Sequence, residues 1–222
     1  MKRLYYLFLY IPLAISLHAQ ETRHAFVNMP DSILPILTKV NRADCIDFLD
    51  SHMRAIVKNR FDQQSEMTRL TKDYIAMQLS SQSHFEMKLL PVTDSTHIIC
   101  TIQTICSNAC DSRIDFYTDD WVALDKKKFI TLPSQSDFVP DTIPFQVADT
   151  LSTPWEVLRN EADILLMQAS LADSTSTLTV QYTTPGYMSK PSATQYIPLL
   201  KRKSISYEWK NGKFVPQHGK EN

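Results

Sequence analysis

His97-Ile98-Ile99-Cys100-Thr101-Ile102-Gln103-Thr104-Ile105 is nine residues long and rich in β-branched side chains. Such side chains are stiff at χ1 and pack well on a pleated surface, so the stretch reads as a strand. Upstream, Phe85-Glu86-Met87-Lys88-Leu89 and Tyr74-Ile75-Ala76-Met77-Gln78-Leu79 read the same way, and Asp94-Ser95 supplies a turn before His97. Downstream, Ile114-Asp115-Phe116-Tyr117 and Trp121-Val122-Ala123-Leu124 continue the run. Successive strands joined by short turns make an antiparallel meander.

Outside this block the period changes. Pro30-Asp31-Ser32 opens an expected short helix through Ile33, Leu34, Ile36, Leu37 and Val40, bent by Pro35. Asn41 is the expected N-cap of a second helix, whose apolar stripe is Ile46, Leu49, Met53 and Ile56. Residues 132–152 carry Pro133, Pro140 and Pro144 and read as a connector. Thr153-Pro154-Trp155-Glu156 has the pattern of a capping box before a short helix. Strands are then expected at 164–171, 178–183, 195–200 and 205–209, and Asn211-Gly212 marks a hairpin before Lys213-Phe214-Val215. The fold class is therefore α+β, an antiparallel sheet with helices on one face.

Met87 through Gln103 and Met167 through Gln181 share a pattern, Thr101-Ile102-Gln103 matching Thr179-Val180-Gln181. Two tandem helix-plus-meander units would divide the chain into 20–131 and 153–222, joined by 132–152.

The first 19 residues read as a secretory signal peptide. Lys2 and Arg3 precede an apolar run from Leu4 to Leu17, and Leu17-His18-Ala19 forms a cleavage site before Gln20. The run is shorter than the ~20 residues of a spanning helix. No Cys lies near it, so a lipid anchor is not expected, nor a membrane span once the signal is removed. The expected location is the periplasm or cell surface. With Lys2 and Arg3 gone, 21 basic side chains face 24 acidic ones, a net of about −3, and a nucleic-acid partner is not expected.

Glycine is scarce, at Gly186, Gly212 and Gly219. Phosphate loops and nucleophile elbows need glycine where the backbone bends tightly, and none of their motifs is present. An exported chain can keep disulfides. Cys106 and Cys110 flank Ser107-Asn108-Ala109 and form the candidate pair, while Cys45 and Cys100 read as small buried hydrophobes. Asp111, Asp115 and Asp119 would share one strand face, which makes them weak calcium candidates or simply solvated side chains. His24 and His218 fall in expected frayed termini. The aromatic residues Tyr182, Tyr187, Tyr196, Tyr207 and Trp209 read mainly as core. Thr184 to Pro191 reads as a long loop, with Pro185, Tyr187 and Met188 as binding candidates.

The signal ending Leu17-His18-Ala19-Gln20, then Met29-Pro30-Asp31-Ser32 with Leu34-Pro35, and Asp111-Ser112-Arg113-Ile114-Asp115-Phe116-Tyr117 with Trp121, together resemble an uncharacterised exported family of the Bacteroidales known only as a domain of unknown function. The resemblance implies an envelope location and brings no activity with it. The helix-then-meander plan also resembles the duplicated architecture of β-lactamase-inhibitor-like proteins, a likeness of plan alone. The leading functional reading is a non-enzymatic binding or envelope-assembly protein, without cofactor, that contacts an envelope protein or a small ligand. The alternatives are a periplasmic hydrolase using carboxylates of 111–125, and a structural envelope component.

Overall fold

The computed structural model describes residues 15–93 and 96–217. Residues 1–14 of the expected signal peptide, the expected turn at Asp94-Ser95, and His218 lie outside the described residues. Two helices, α1 (Ile15–Asn28) and α2 (Lys39–Asp50), precede seven strands: β1 (Ala55–Lys58), β2 (Gln64–Leu70), β3 (Tyr74–Gln78), β4 (Ser83–Pro91), β5 (His97–Cys106), β6 (Cys110–Tyr117) and β7 (Ala123–Leu124). These form one antiparallel sheet in chain order. Then come α3 (Gln135–Phe138), α4 (Phe145–Ala148), α5 (Trp155–Glu161), β8 (Met167–Leu171), β9 (Thr177–Tyr182), α6 (Lys190–Tyr196), β10 (Ser204–Lys210) and β11 (Lys213–Pro216). The last four strands make a second antiparallel sheet, ordered β11-β10-β9-β8.

The large sheet is buried on both faces, so successive residues Met87 to Leu90 of β4 and Ile99 to Ile102 of β5 are all buried. Phe85, Met87 and Leu89, with Ile75 and Met77, face α1 and α2 and surround Phe26, Leu34 and Cys45. Leu90, Cys100, Ile102, Ile114 and Phe116 face the other way, onto Ala169, Leu171, Leu178 and Val180 of the small sheet. The helices thus cover one face of the large sheet and the small sheet covers the other. Residues from both halves of the chain share that second core, and Phe138 of the 132–152 stretch is fully buried in it.

The small sheet meets the large one through its edge. β8 leaves the amides of Met167, Ala169 and Leu171 unpaired by β9, and side chains of the large sheet accept them. Asp111 Oδ1 takes Met167 N at 3.3 Å, Ser112 Oγ takes Ala169 N at 2.9 Å, and Glu86 Oε2 takes Leu171 N at 2.6 Å. The backbone donors of an otherwise open strand are satisfied without a further strand.

Several local expectations are corrected. Residues 30–37 form turns rather than a helix, because Pro35 interrupts the pattern, although Ile33, Leu34 and Leu37 are buried. The cap of α2 is Thr38, whose hydroxyl accepts from Asn41 N at 3.1 Å while the Asn41 side chain accepts from Thr38 N. Asn41 is therefore the reciprocal partner in a capping box, three residues inside the helix. Met53 lies beyond α2 and is exposed, and Ile56 belongs to β1. Helix α5 starts at Trp155 with Pro154 at its cap, and the Thr153 hydroxyl accepts from Gln195 Nε2 instead of capping. Trp121 sits in a turn at φ 62°, with β7 starting two residues later. Its indole donates to Ala25 O at 3.1 Å and its ring lies 5.4 Å from that of Tyr117. These contacts hold a bulky residue in the left-handed region. The matched stretches of the two halves lie on antiparallel hairpins, β4–β5 and β8–β9, with Thr101 opposite Met87 and Thr179 opposite Ser170.

Candidate functional site

The long β5–β6 hairpin ends in a turn closed by a Cys106–Cys110 disulfide, with the two residues paired across the ladder. Ser107 N donates to Ala109 O at 2.9 Å within it. This tip meets the segment after β9. Thr184 to Gly186 is one 3-10 turn and α6 follows, with Ser189 as its cap and Pro191 in its first turn. The expected loop of 184–191 is therefore largely helical, and the expected strand at 195–200 is the end of α6 plus a 3-10 turn. Ser189-Lys190-Pro191 supplies the helix start that the apolar Tyr196-Ile197 and Leu199-Leu200 further on concealed.

Gly186 fits where any side chain would press on the hairpin tip. A Cβ there would stand 2.3 Å from the Asn108 carbonyl oxygen. The Thr183 hydroxyl donates to Cys110 O beside it, and Thr184 Oγ accepts Leu166 N at 2.9 Å and donates to Ile164 O at 2.7 Å. The hairpin tip and the Thr184–Gly186 turn are thus locked together. Between them and the 3-10 turn at Ile197–Leu199 lies an open groove of about 360 Å³, lined by Asn108, Cys110, Pro185, Ile197, Leu200 and Lys203, among others.

The binding candidates take different places around this groove. Pro185 lines it, Tyr187 is 56% exposed beside it, and Met188 is buried in the core behind it. Of the other aromatic residues, Tyr182, Tyr196, Tyr207 and Trp209 are buried. Phe138 stacks on Tyr182 with centroids 5.1 Å apart, and the Tyr182 and Tyr196 hydroxyls are 3.2 Å apart.

The acidic candidates do not converge. Asp111 and Asp115 lie on β6 with Arg113 between them, so about 13 Å of strand separates them. That exceeds what one calcium ion spans and also the spacing of a glycosidase carboxylate pair. Asp115 pairs with Arg113 Nε at 2.7 Å, Asp111 accepts Met167 N, and Asp119 lies past the strand end in the turn before Trp121. No group of three His, Cys, Asp or Glu side chains able to hold a metal is present among the described residues. His24, expected in a frayed end, is on α1 and lines a small cleft of about 190 Å³ with Glu21, His97 and Asp119. Burial pushes the Cys45 thiol up to about 12 and that of Cys100 higher still, so both are held as thiols.

One buried polar cluster escaped the sequence reading. Lys88, fully buried, sits 3.3 Å from Asp73 Oδ2 and donates to Asp173 O at 3.2 Å. Its ammonium lies 5.5 Å from the Tyr74 ring centroid. Glu86, two residues earlier on the same face of β4, is bonded by Tyr74 and Leu171 N. Burial raises its carboxyl above the ordinary value, the two hydrogen bonds opposing the shift. The cluster is the polar end of the interface between the sheets. An alternating strand gave no hint of it, because Glu86 and Lys88 read as solvent-facing residues.

No curated protein matches the chain. Among solved structures, a domain of an uncharacterised protein from Porphyromonas gingivalis W83 is similar, with a TM-score of 0.74 and 26% identity over 89% of this chain and 99% of that one. Among the described residues no helix is long and apolar enough to cross a membrane. The family model described as "Protein of unknown function (DUF3256)" matches residues 14–214, nearly the whole described fold with its two sheets and the groove between hairpin tip and α6. The chain belongs to this family.

Proposed function

We propose that the protein is an exported, non-enzymatic binding protein of the cell envelope, and that it holds its partner in the groove beside the Cys106–Cys110 tip. The observation that carries this reading is a concave surface built from parts far apart in sequence and fixed by a disulfide and a glycine contact. Rigid scaffolds that present turns around a concavity are the usual setting of binding sites. Export is supported by the basic and apolar leader of residues 2–19 and by the disulfide, which persists in an oxidising compartment.

Two measurements test it. N-terminal sequencing of the protein from an osmotic-shock fraction is expected to begin at Gln20, and recovery from the cytosol with residues 1–19 intact would refute export. Cross-linking of the envelope fraction with the mature chain is expected to capture one partner. Asn108→Arg, at the groove mouth, should abolish capture, and Phe61→Ser, an exposed site on the β1–β2 turn, should preserve it. Capture that survives Asn108→Arg would remove the groove from the reading.

A further inference from the structure

We infer that the groove's ligand is the free C-terminus of a polypeptide with apolar last residues. This rests on the groove being the binding surface proposed above. The groove's lining includes the apolar residues Pro185, Ile197 and Leu200. One charged side chain lines it, Lys203, and no acidic residue does. Lys203 is exposed and forms no ion pair among the described residues, whereas its neighbour Lys201 donates to Ser136 O at 2.9 Å. A groove with apolar lining residues and a single uncompensated cation complements an apolar ligand with a single negative charge.

Two residues with amide side chains, Asn108 and Gln181, are among those lining the same groove, and both are exposed. An acyl chain has nothing to offer them, but peptide groups have both a donor and an acceptor for each. That favours a peptide carboxy-terminus over a fatty acid. Capture of a terminal carboxylate is a general mode of peptide recognition. Here Lys203 would hold the carboxylate and Ile197 and Leu200 the last side chains.

The test is fluorescence polarisation of the mature, disulfide-intact protein. The probes are fluorescein-labelled hexapeptides randomised among Val, Leu, Ile and Phe at the last three positions, made as free acids and as carboxamides. The free acids should bind about fivefold more tightly than the amides, the scale of one exposed ion pair. Lys203→Gln should abolish that difference while the thermal midpoint stays unchanged. Equal binding of acids and amides would overturn the carboxylate assignment and leave the groove standing. Displacement by decanoate as effective as by the unlabelled peptide acids would overturn the peptide assignment in favour of an acyl chain. No peptide binding, with envelope capture still sensitive to Asn108→Arg, would overturn this inference alone. Loss of both would overturn the groove itself.

Discussion

Gly186→Ala adds one methyl group where the backbone meets the Asn108 carbonyl closely. Gly186 does not occupy the left-handed region, so the substitution brings no dihedral penalty. Its effect is steric: the new Cβ would sit 2.3 Å from Asn108 O and 3.2 Å from Asn108 C, both backbone atoms in a disulfide-closed turn. Neither can rotate away as the end of a side chain would. Overpacking of this kind costs about 1–3 kcal/mol. A central cost of 2 kcal/mol would lower Tm by roughly 4–8 °C in a chain of this size. Thermal unfolding followed by circular dichroism reads this directly. The same substitution in a Cys106→Ser/Cys110→Ser background is expected to cost clearly less, because the opened turn can yield, and the two sites are then coupled rather than additive. Gly212→Ala is the control. Gly212 has φ +76° and nothing within 4 Å of a built Cβ, so its cost of about 1 kcal/mol is purely conformational and should ignore the disulfide. A Gly186→Ala protein melting within about 1 °C of the native one would refute the argument that this glycine is a spacer between tip and turn.

Glu86 makes stability depend on pH. Its carboxyl is raised above the ordinary 4.5 chiefly by burial, so the folded state holds its proton more tightly than the unfolded state. That contribution is fully present below the unfolded value and is lost as pH rises through the folded one. Glu86→Gln keeps an acceptor for Leu171 N and should flatten this part of the profile, as read by urea unfolding from pH 4 to 8. Replacing Lys88 by Met, which fills its fully buried site with apolar atoms, should change stability by less than about 1 kcal/mol. Asp73→Ala, which strands the Lys88 ammonium, should cost about 3 kcal/mol in the same assay. Cys106→Ser/Cys110→Ser should cost about 2 kcal/mol at most in chemical unfolding, since the ring is short and constrains the unfolded chain little.

The meander from Tyr74 to Tyr117 was legible because β5 is long and rich in β-branched residues and its neighbours carry apolar residues at strand spacing between short turns. Gln64–Leu70 was not: QSEMTRL buries only Ser65 and Met67, and so few buried residues leave no apolar period to see. Residues 30–37 deceived in the opposite sense, since Ile33, Leu34 and Leu37 recur at helical spacing yet are buried from successive turns. Helix α6 was hidden by its composition, its start signal lying in Ser189 and Pro191 rather than in any stripe. The disulfide could be read from spacing alone. The groove could not, because it depends on the approach of Asn108 to Gly186, a long-range contact that no local pattern encodes.

The three side chains that receive the amides of β8 also make the small sheet depend on the large one. Asp111, Ser112 and Glu86 come from β6 and β4, so β8 has these acceptors only where the large sheet is in place. Without it a β8–β11 sheet carries an open row of donors, a template for pairing with a second molecule. A fragment holding the last sixty residues lacks all three acceptors and is therefore expected to self-associate more readily than the whole chain, as read by size-exclusion chromatography. The large sheet thus serves as a built-in cover for that edge.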